Sequence, residues 1–155
     1  MREYDEERGL YFEVGSDGAF VTDSESRINE VIIPEEYKGK PVLAILKKAF
    51  LGRKQLRRVT IPGSVKSIGQ WAFSSCDALR SVRLKRTECI FERGVFKGDK
   101  RLESIYIEGE SKEIARLLAA SVVMEADYLL EPMTAGSSEW LDKWDGKLSS
   151  ILDQA

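Results

Sequence analysis

Along residues 42–110 the apolar positions recur in one order, three times over. Ile45-Leu-Lys-Lys-Ala-Phe50, Ile68-Gly-Gln-Trp-Ala-Phe73 and Phe91-Glu-Arg-Gly-Val-Phe96 align, and their closing phenylalanines stand 23 residues apart. The same interval separates Leu56, Leu79 and Leu102, then Val59, Val82 and Ile105, then Ile61, Leu84 and Ile107. Around these columns apolar residues alternate with polar ones, the period of a strand with one buried face. A fourth segment, Ile28-Asn-Glu-Val-Ile-Ile-Pro34, matches Leu56-Arg-Arg-Val-Thr-Ile-Pro62 at an offset of 28, with the extra residues in the polar turn 35–41. Four repeat strands are therefore predicted, near 28–34, 56–62, 79–85 and 102–108. Pro34 and Pro62 close the first two, because proline has no donor for a continuing ladder.

A unit of this length holds one strand and a return leg, and buries its apolar side only by stacking on a neighbour. Phe50, Phe73 and Phe96 should form one buried column and Leu56, Leu79 and Leu102 another. A period in the twenties carrying L-x-x-V-x-I reads as a leucine-rich-repeat solenoid. Ahead of it, residues 10–14 and 19–22 are β-prone runs joined by Gly15-Ser-Asp-Gly18, a hairpin expected to sit on the first end of the solenoid. After Gly109 the period changes. Ser111 can cap a helix bearing Ile114, Leu117, Leu118, Val122 and Tyr128 on one side, ended by Pro132. Ala135-Gly-Ser137 makes a turn, and Trp140, Trp144, Leu148, Ile151 and Leu152 mark a second helix. The expected class is α+β: a solenoid with an N-terminal hairpin over 1–110 and a two-helix C-terminal cap over 111–155.

Composition narrows the chemistry. The chain of 155 residues is one globular unit, with 32% charged residues and no histidine. The commonest general base and metal ligand is thus missing. No G-x-S-x-G, P-loop or metal-ligand spacing occurs, so no catalytic, cofactor or metal residue is assigned and an enzyme is not expected. The two cysteines read as reduced structural residues rather than a disulfide framework. No apolar run is long enough to span a membrane. The acidic start lacks the apolar core of a secretory signal, which predicts a cytoplasmic protein if Met1 is the native start, and a cell-surface or secreted one if a signal precedes it.

Charge is segregated. Residues 1–46 carry 5 Lys/Arg against 11 Asp/Glu, residues 47–101 carry 15 against 4, and residues 102–155 carry 4 against 11. A basic belt lies between two acidic ends.

Asp17-Gly-Ala-Phe20, Val31-Ile-Ile-Pro34, Gly39-Lys-Pro-Val42, Ala49-Phe50, Val59-Thr-Ile-Pro62, Ser67-Ile-Gly69, Ala72-Phe73 and Cys76 together resemble the BspA-type leucine-rich repeat family, over roughly residues 9–108. The resemblance implies a module of the kind found mostly on bacterial surface proteins, binding other proteins or host matrix and not acting as a catalyst. The third repeat departs from the pattern, with Glu92 in place of the glycine and Asp99 in place of the cysteine.

Stacking the strands in register sets equivalent residues about 4.8 Å apart. Glu30 then falls beside Arg58, Arg80 beside Glu103, and Arg83 beside Tyr106, while Arg57 and Arg80 are like-charged neighbours. Arg57, Arg58, Arg80, Arg83 and Tyr106 are the candidate partner-binding residues. The function expected is a non-enzymatic protein-interaction module presenting a strand face and a basic central belt to an unknown protein partner, with an acidic protein or glycan surface as one option. The alternative is a polyanion-binding protein, for glycan or nucleic acid. Nucleic acid is disfavoured by the overall acidic pI and the few aromatics near the belt, and self-association through the complementary charges is a further option.

Overall fold

The computed structural model of the protein describes residues 2–85 and 89–108, together with Ala119 and Met133–Thr134. The described strands, in chain order, are β1 (Arg2–Asp5), β2 (Leu10–Val14), β3 (Ala19–Ser24), β4 (Glu30–Ile32), β5 (Glu36–Tyr37), β6 (Lys40–Ile45), β7 (Arg58–Ile61), β8 (Ser67–Ile68), β9 (Ser81–Leu84), β10 (Ile90–Phe91), β11 (Ser104–Ile107) and β12 (Met133–Thr134). They build two sheets. One is four-stranded and parallel, in the order β11-β9-β7-β4. The other runs β1-β2-β3-β6-β8-β10-β12, with β5 paired to the start of β6. Each turn of the chain adds a rung to both sheets, making a β-solenoid of about four turns, a leucine-rich-repeat-like fold.

The four repeat strands stand where the alternation predicts them, trimmed to three or four residues each. Their apolar columns stack in register: Val31, Val59, Val82 and Ile105 in one, Ile61, Leu84 and Ile107 in the next. All are buried. Phe50, Phe73 and Phe96 stack nearly parallel, with ring centroids 4.8 Å and 5.6 Å apart. Leu56 and Leu79 are fully buried, but Leu102, in the last described repeat, is only partly so. Phe91 replaces the isoleucine of the two earlier repeats and meets Phe96 edge-on at 5.5 Å.

Two glycines set how closely the turns approach. A Cβ on Gly69 would lie 2.4 Å from the Lys47 nitrogen and 2.8 Å from the Leu46 carbonyl carbon, so only glycine lets these backbones pack as they do. Gly94, at φ 66°, lies under the Trp71 indole, whose Cδ1 a Cβ would approach to 2.4 Å. Glu92, in the position of Gly69, accompanies the wider of the two phenylalanine spacings.

The N-terminal hairpin forms and seats on the first end of the solenoid, with Leu10, Phe12, Ala19 and Val21 buried in the common core. β2 and β3 pair antiparallel, and β3 pairs parallel with β6, so the hairpin prolongs the second sheet edge to edge. β1 then adds outside β2. The reason is the backbone: an open β6 edge offers hydrogen bonds that an apolar layer does not. Phe12 stacks on Tyr37 at 4.1 Å and closes the junction.

The expected α+β class is corrected. Regular structure among the described residues is β-strand, apart from Ala119, which is helical and buried in the core 23 residues after Phe96. The return legs form a second sheet of strands two to six residues long, because each turn offers its backbone hydrogen bonds to the next. The two helices expected over 111–155 otherwise lie outside the described residues. Where the sequence reading ends a helix at Pro132 and starts a turn at Ala135, Met133–Thr134 instead forms a strand, antiparallel to β10. It occupies the edge that a further parallel rung would take.

Candidate interaction surface

The outer face of the four-stranded sheet carries three columns. In ladder register, Glu30, Arg58, Ser81 and Ser104 form one, and Ile32, Thr60, Arg83 and Tyr106 the next. Just upstream, the Arg57 N–H donates to Asn29 O at 2.7 Å, the Arg80 N–H to Arg57 O at 2.9 Å, and the Glu103 N–H to Arg80 O at 2.8 Å, aligning a third. The Arg57 carbonyl also accepts the Ser81 N–H at 3.3 Å, and the Arg80 carbonyl that of Ser104 at 3.3 Å. Arg57 and Arg58 are both exposed although adjacent in sequence.

Every candidate residue is therefore on this face. Arg57, Arg58, Arg80 and Arg83 are exposed and Tyr106 is half-buried. Arg83 lies over the Tyr106 ring, 5.4 Å from its centroid, as the register predicts. The expected charge pairs are a different matter. Glu30 is the ladder partner of Arg58, and Glu103 follows Arg80, yet among the described residues none of the four arginines closes an ion pair within 4.0 Å. A ladder fixes Cα positions; it does not bring the ends of two long solvated side chains together, because their rotamer entropy opposes it.

Other cations of the belt are engaged elsewhere. Arg53 Nη2 pairs with Asp23 at 2.6 Å, and Lys54 Nζ with Asp77 at 3.1 Å. Lys48 Nζ sits 5.5 Å from the Trp71 ring centroid. Ile32, 63% exposed, stands on the same face, on the outward side of β4, where the strand alternation places it. Among the described residues no group of three His, Cys, Asp or Glu is arranged to hold a metal ion, and no helix is long and apolar enough to cross a membrane. The surface can offer guanidinium groups, one aromatic ring and one aliphatic side chain to a partner.

Comparison with known proteins gives this surface its setting. A leucine-rich repeat protein of T. pallidum is 27% identical, with a TM-score of 0.50, over 66% of this chain and 49% of that one. A leucine rich cell surface protein of Faecalibacterium prausnitzii is 23% identical, with a TM-score of 0.59, over 69% of this chain and 31% of that one. The chain thus spans about half or less of the length of these relatives. No curated protein matches it. Leucine-rich-repeat proteins commonly mediate protein interaction, and no catalytic family is indicated. The family described as BspA type leucine rich repeat region matches residues 17–120 in 6 copies. The chain belongs to the BspA-type leucine-rich repeat family.

Proposed function

We infer that the chain is a non-enzymatic docking module whose binding surface is the outer face of the four-stranded sheet, and that its partner is an acidic protein segment. The observation that carries this reading is that Arg57, Arg58, Arg80 and Arg83 form no ion pair among the described residues although acidic residues neighbour them in the ladder. Arg57 and Arg80 are like-charged neighbours in one column, and a carboxylate placed between them relieves their repulsion while accepting bidentate hydrogen bonds. Arg83 and Tyr106 supply an adjacent cation and an aromatic anchor, residue types that dominate interface energetics.

Binding of a poly-glutamate peptide, measured by fluorescence anisotropy at physiological salt, tests it. Arg57→Ala/Arg80→Ala should weaken binding by more than tenfold, about 1.4 kcal/mol, without lowering the melting temperature. The control pair Lys47→Ala/Lys100→Ala, exposed on turns, should leave it unchanged. Equal losses from both pairs would replace a defined face with diffuse electrostatics. Tight retention of heparin or single-stranded DNA, with no poly-glutamate binding, would replace the protein partner with a glycan or nucleic acid.

A further inference from the structure

Counting by 23, Arg53, Cys76 and Asp99 hold one place in three successive turns. Each fills it differently. Arg53 reaches outward to the hairpin. Cys76 turns inward, fully buried, and its thiol donates to the Phe50 carbonyl at 3.2 Å. Asp99 is fully buried as well. Its Oδ1 accepts the Cys76 N–H at 2.8 Å, so the carboxyl of one turn ties down the main chain of the turn before it. Its Oδ2 is buried with no hydrogen-bond partner.

An ionised carboxylate in this position leaves a charged oxygen unsatisfied in an apolar layer, which is costly. Among the described residues the charges around it do not offset that. Asp77, on the preceding turn, repels it; Lys54, one turn further back, attracts it but is already paired with Asp77 at 3.1 Å. Arg53 is held by Asp23 at 2.6 Å, and Lys97 and Lys100 on the same turn as Asp99 are exposed. Burial outweighs the hydrogen bond from Cys76 and pushes the Asp99 carboxyl up to about 8.

We propose that Asp99 occupies this column as a neutral carboxylic acid, Oδ1 accepting from Cys76 and Oδ2 carrying the proton, and that loss of this proton loosens the joint between the two turns. The two joined turns lead directly into β9 and β11, which carry Arg83 and Tyr106. The joint lies just upstream of that pair in the same two turns, and the chain holds the joint best while Asp99 is protonated.

The folded chain keeps this proton up to about pH 8, whereas an unfolded aspartate releases it near about pH 4. The stabilisation is thus complete below about pH 4, declines from there to about pH 8, and levels off above that. Carbon-13 NMR of the full chain, with Asp99 assigned through its backbone, should show its carboxyl carbon titrating near pH 8. Asp99→Asn, which imitates the neutral acid, should gain melting temperature relative to the unaltered chain as pH rises from about 5 towards about 8, and no further gain above it. A carboxyl carbon titrating near about pH 4, or a melting difference that does not vary with pH, would overturn the proposal. If Asp99→Asn does not fold, the carbon titration of the unaltered chain decides alone.

Discussion

Arg53 grips Ser24 twice, Nε donating to the hydroxyl at 2.8 Å and Nη2 to the main-chain oxygen at 2.9 Å. The same Nη2 reaches Asp23 at 2.6 Å. A turn of the first repeat is thereby fastened to the last residues of β3, and the hairpin becomes part of the solenoid. Ser24 is buried, so these bonds are shielded from water. Arg53→Lys keeps the charge and loses the fork that serves three acceptors at once. It should destabilise the protein by about 1–3 kcal/mol, the cost of leaving buried polar groups unpaired. Urea denaturation reads this directly. A double-mutant cycle with Asp23→Ala should show coupling between the two positions, and strict additivity would mean that the contact does not fasten the hairpin.

The aromatic column concentrates stability in its middle layer. Phe73 is fully buried and has a ring stacked on each side. Phe73→Ala removes both contacts and leaves a cavity that neighbouring turns, held in ladder register, cannot collapse to fill. The expected loss is about 3–5 kcal/mol, measured by chemical denaturation. A loss below about 1 kcal/mol would be what a poorly packed, adaptable site shows, and would remove the column from its central role.

Close approach of the turns depends on Gly69 rather than on side-chain packing. Gly69→Ala forces a methyl group against the backbone of Leu46 and Lys47. Main chain held in a ladder cannot move aside as a flexible side chain can, so the variant should lose about 1–3 kcal/mol. Gly15→Ala serves as control, since its Cβ meets nothing nearer than 3.7 Å. The control should leave the melting temperature unchanged or raise it slightly through the unfolded state.

The make-up of the outer sheet face was legible in the sequence, and its ion pairing was not. Alternation along Arg58–Ile61 and its counterparts sends Arg58 and Arg83 outward whatever the rest of the chain does, because strand period two is a property of the backbone itself. The register that sets Arg83 over Tyr106 follows from the 23-residue interval. Whether Arg58 closes on Glu30 depends on side-chain rotamers within a few ångströms, and no spacing in sequence encodes that.

By itself the sequence determined the solenoid, its four repeat strands and the buried phenylalanine column, because each repeat states the same pattern and stacking is the one arrangement that buries all of them together. Tertiary structure alone decided the second sheet, the edge-on seat of the hairpin and the antiparallel rung at Met133–Thr134. Segments such as Ser67–Ile68 and Ile90–Phe91 are too short to show an alternation, and they become strands only when a neighbouring turn offers its backbone. The Arg53 link to Asp23 and Ser24 and the buried carboxyl of Asp99 belong to the same class. One repeat column holds arginine, cysteine and aspartate, and what each does is set by which neighbouring turn it faces, a relation that exists only once the chain has wound.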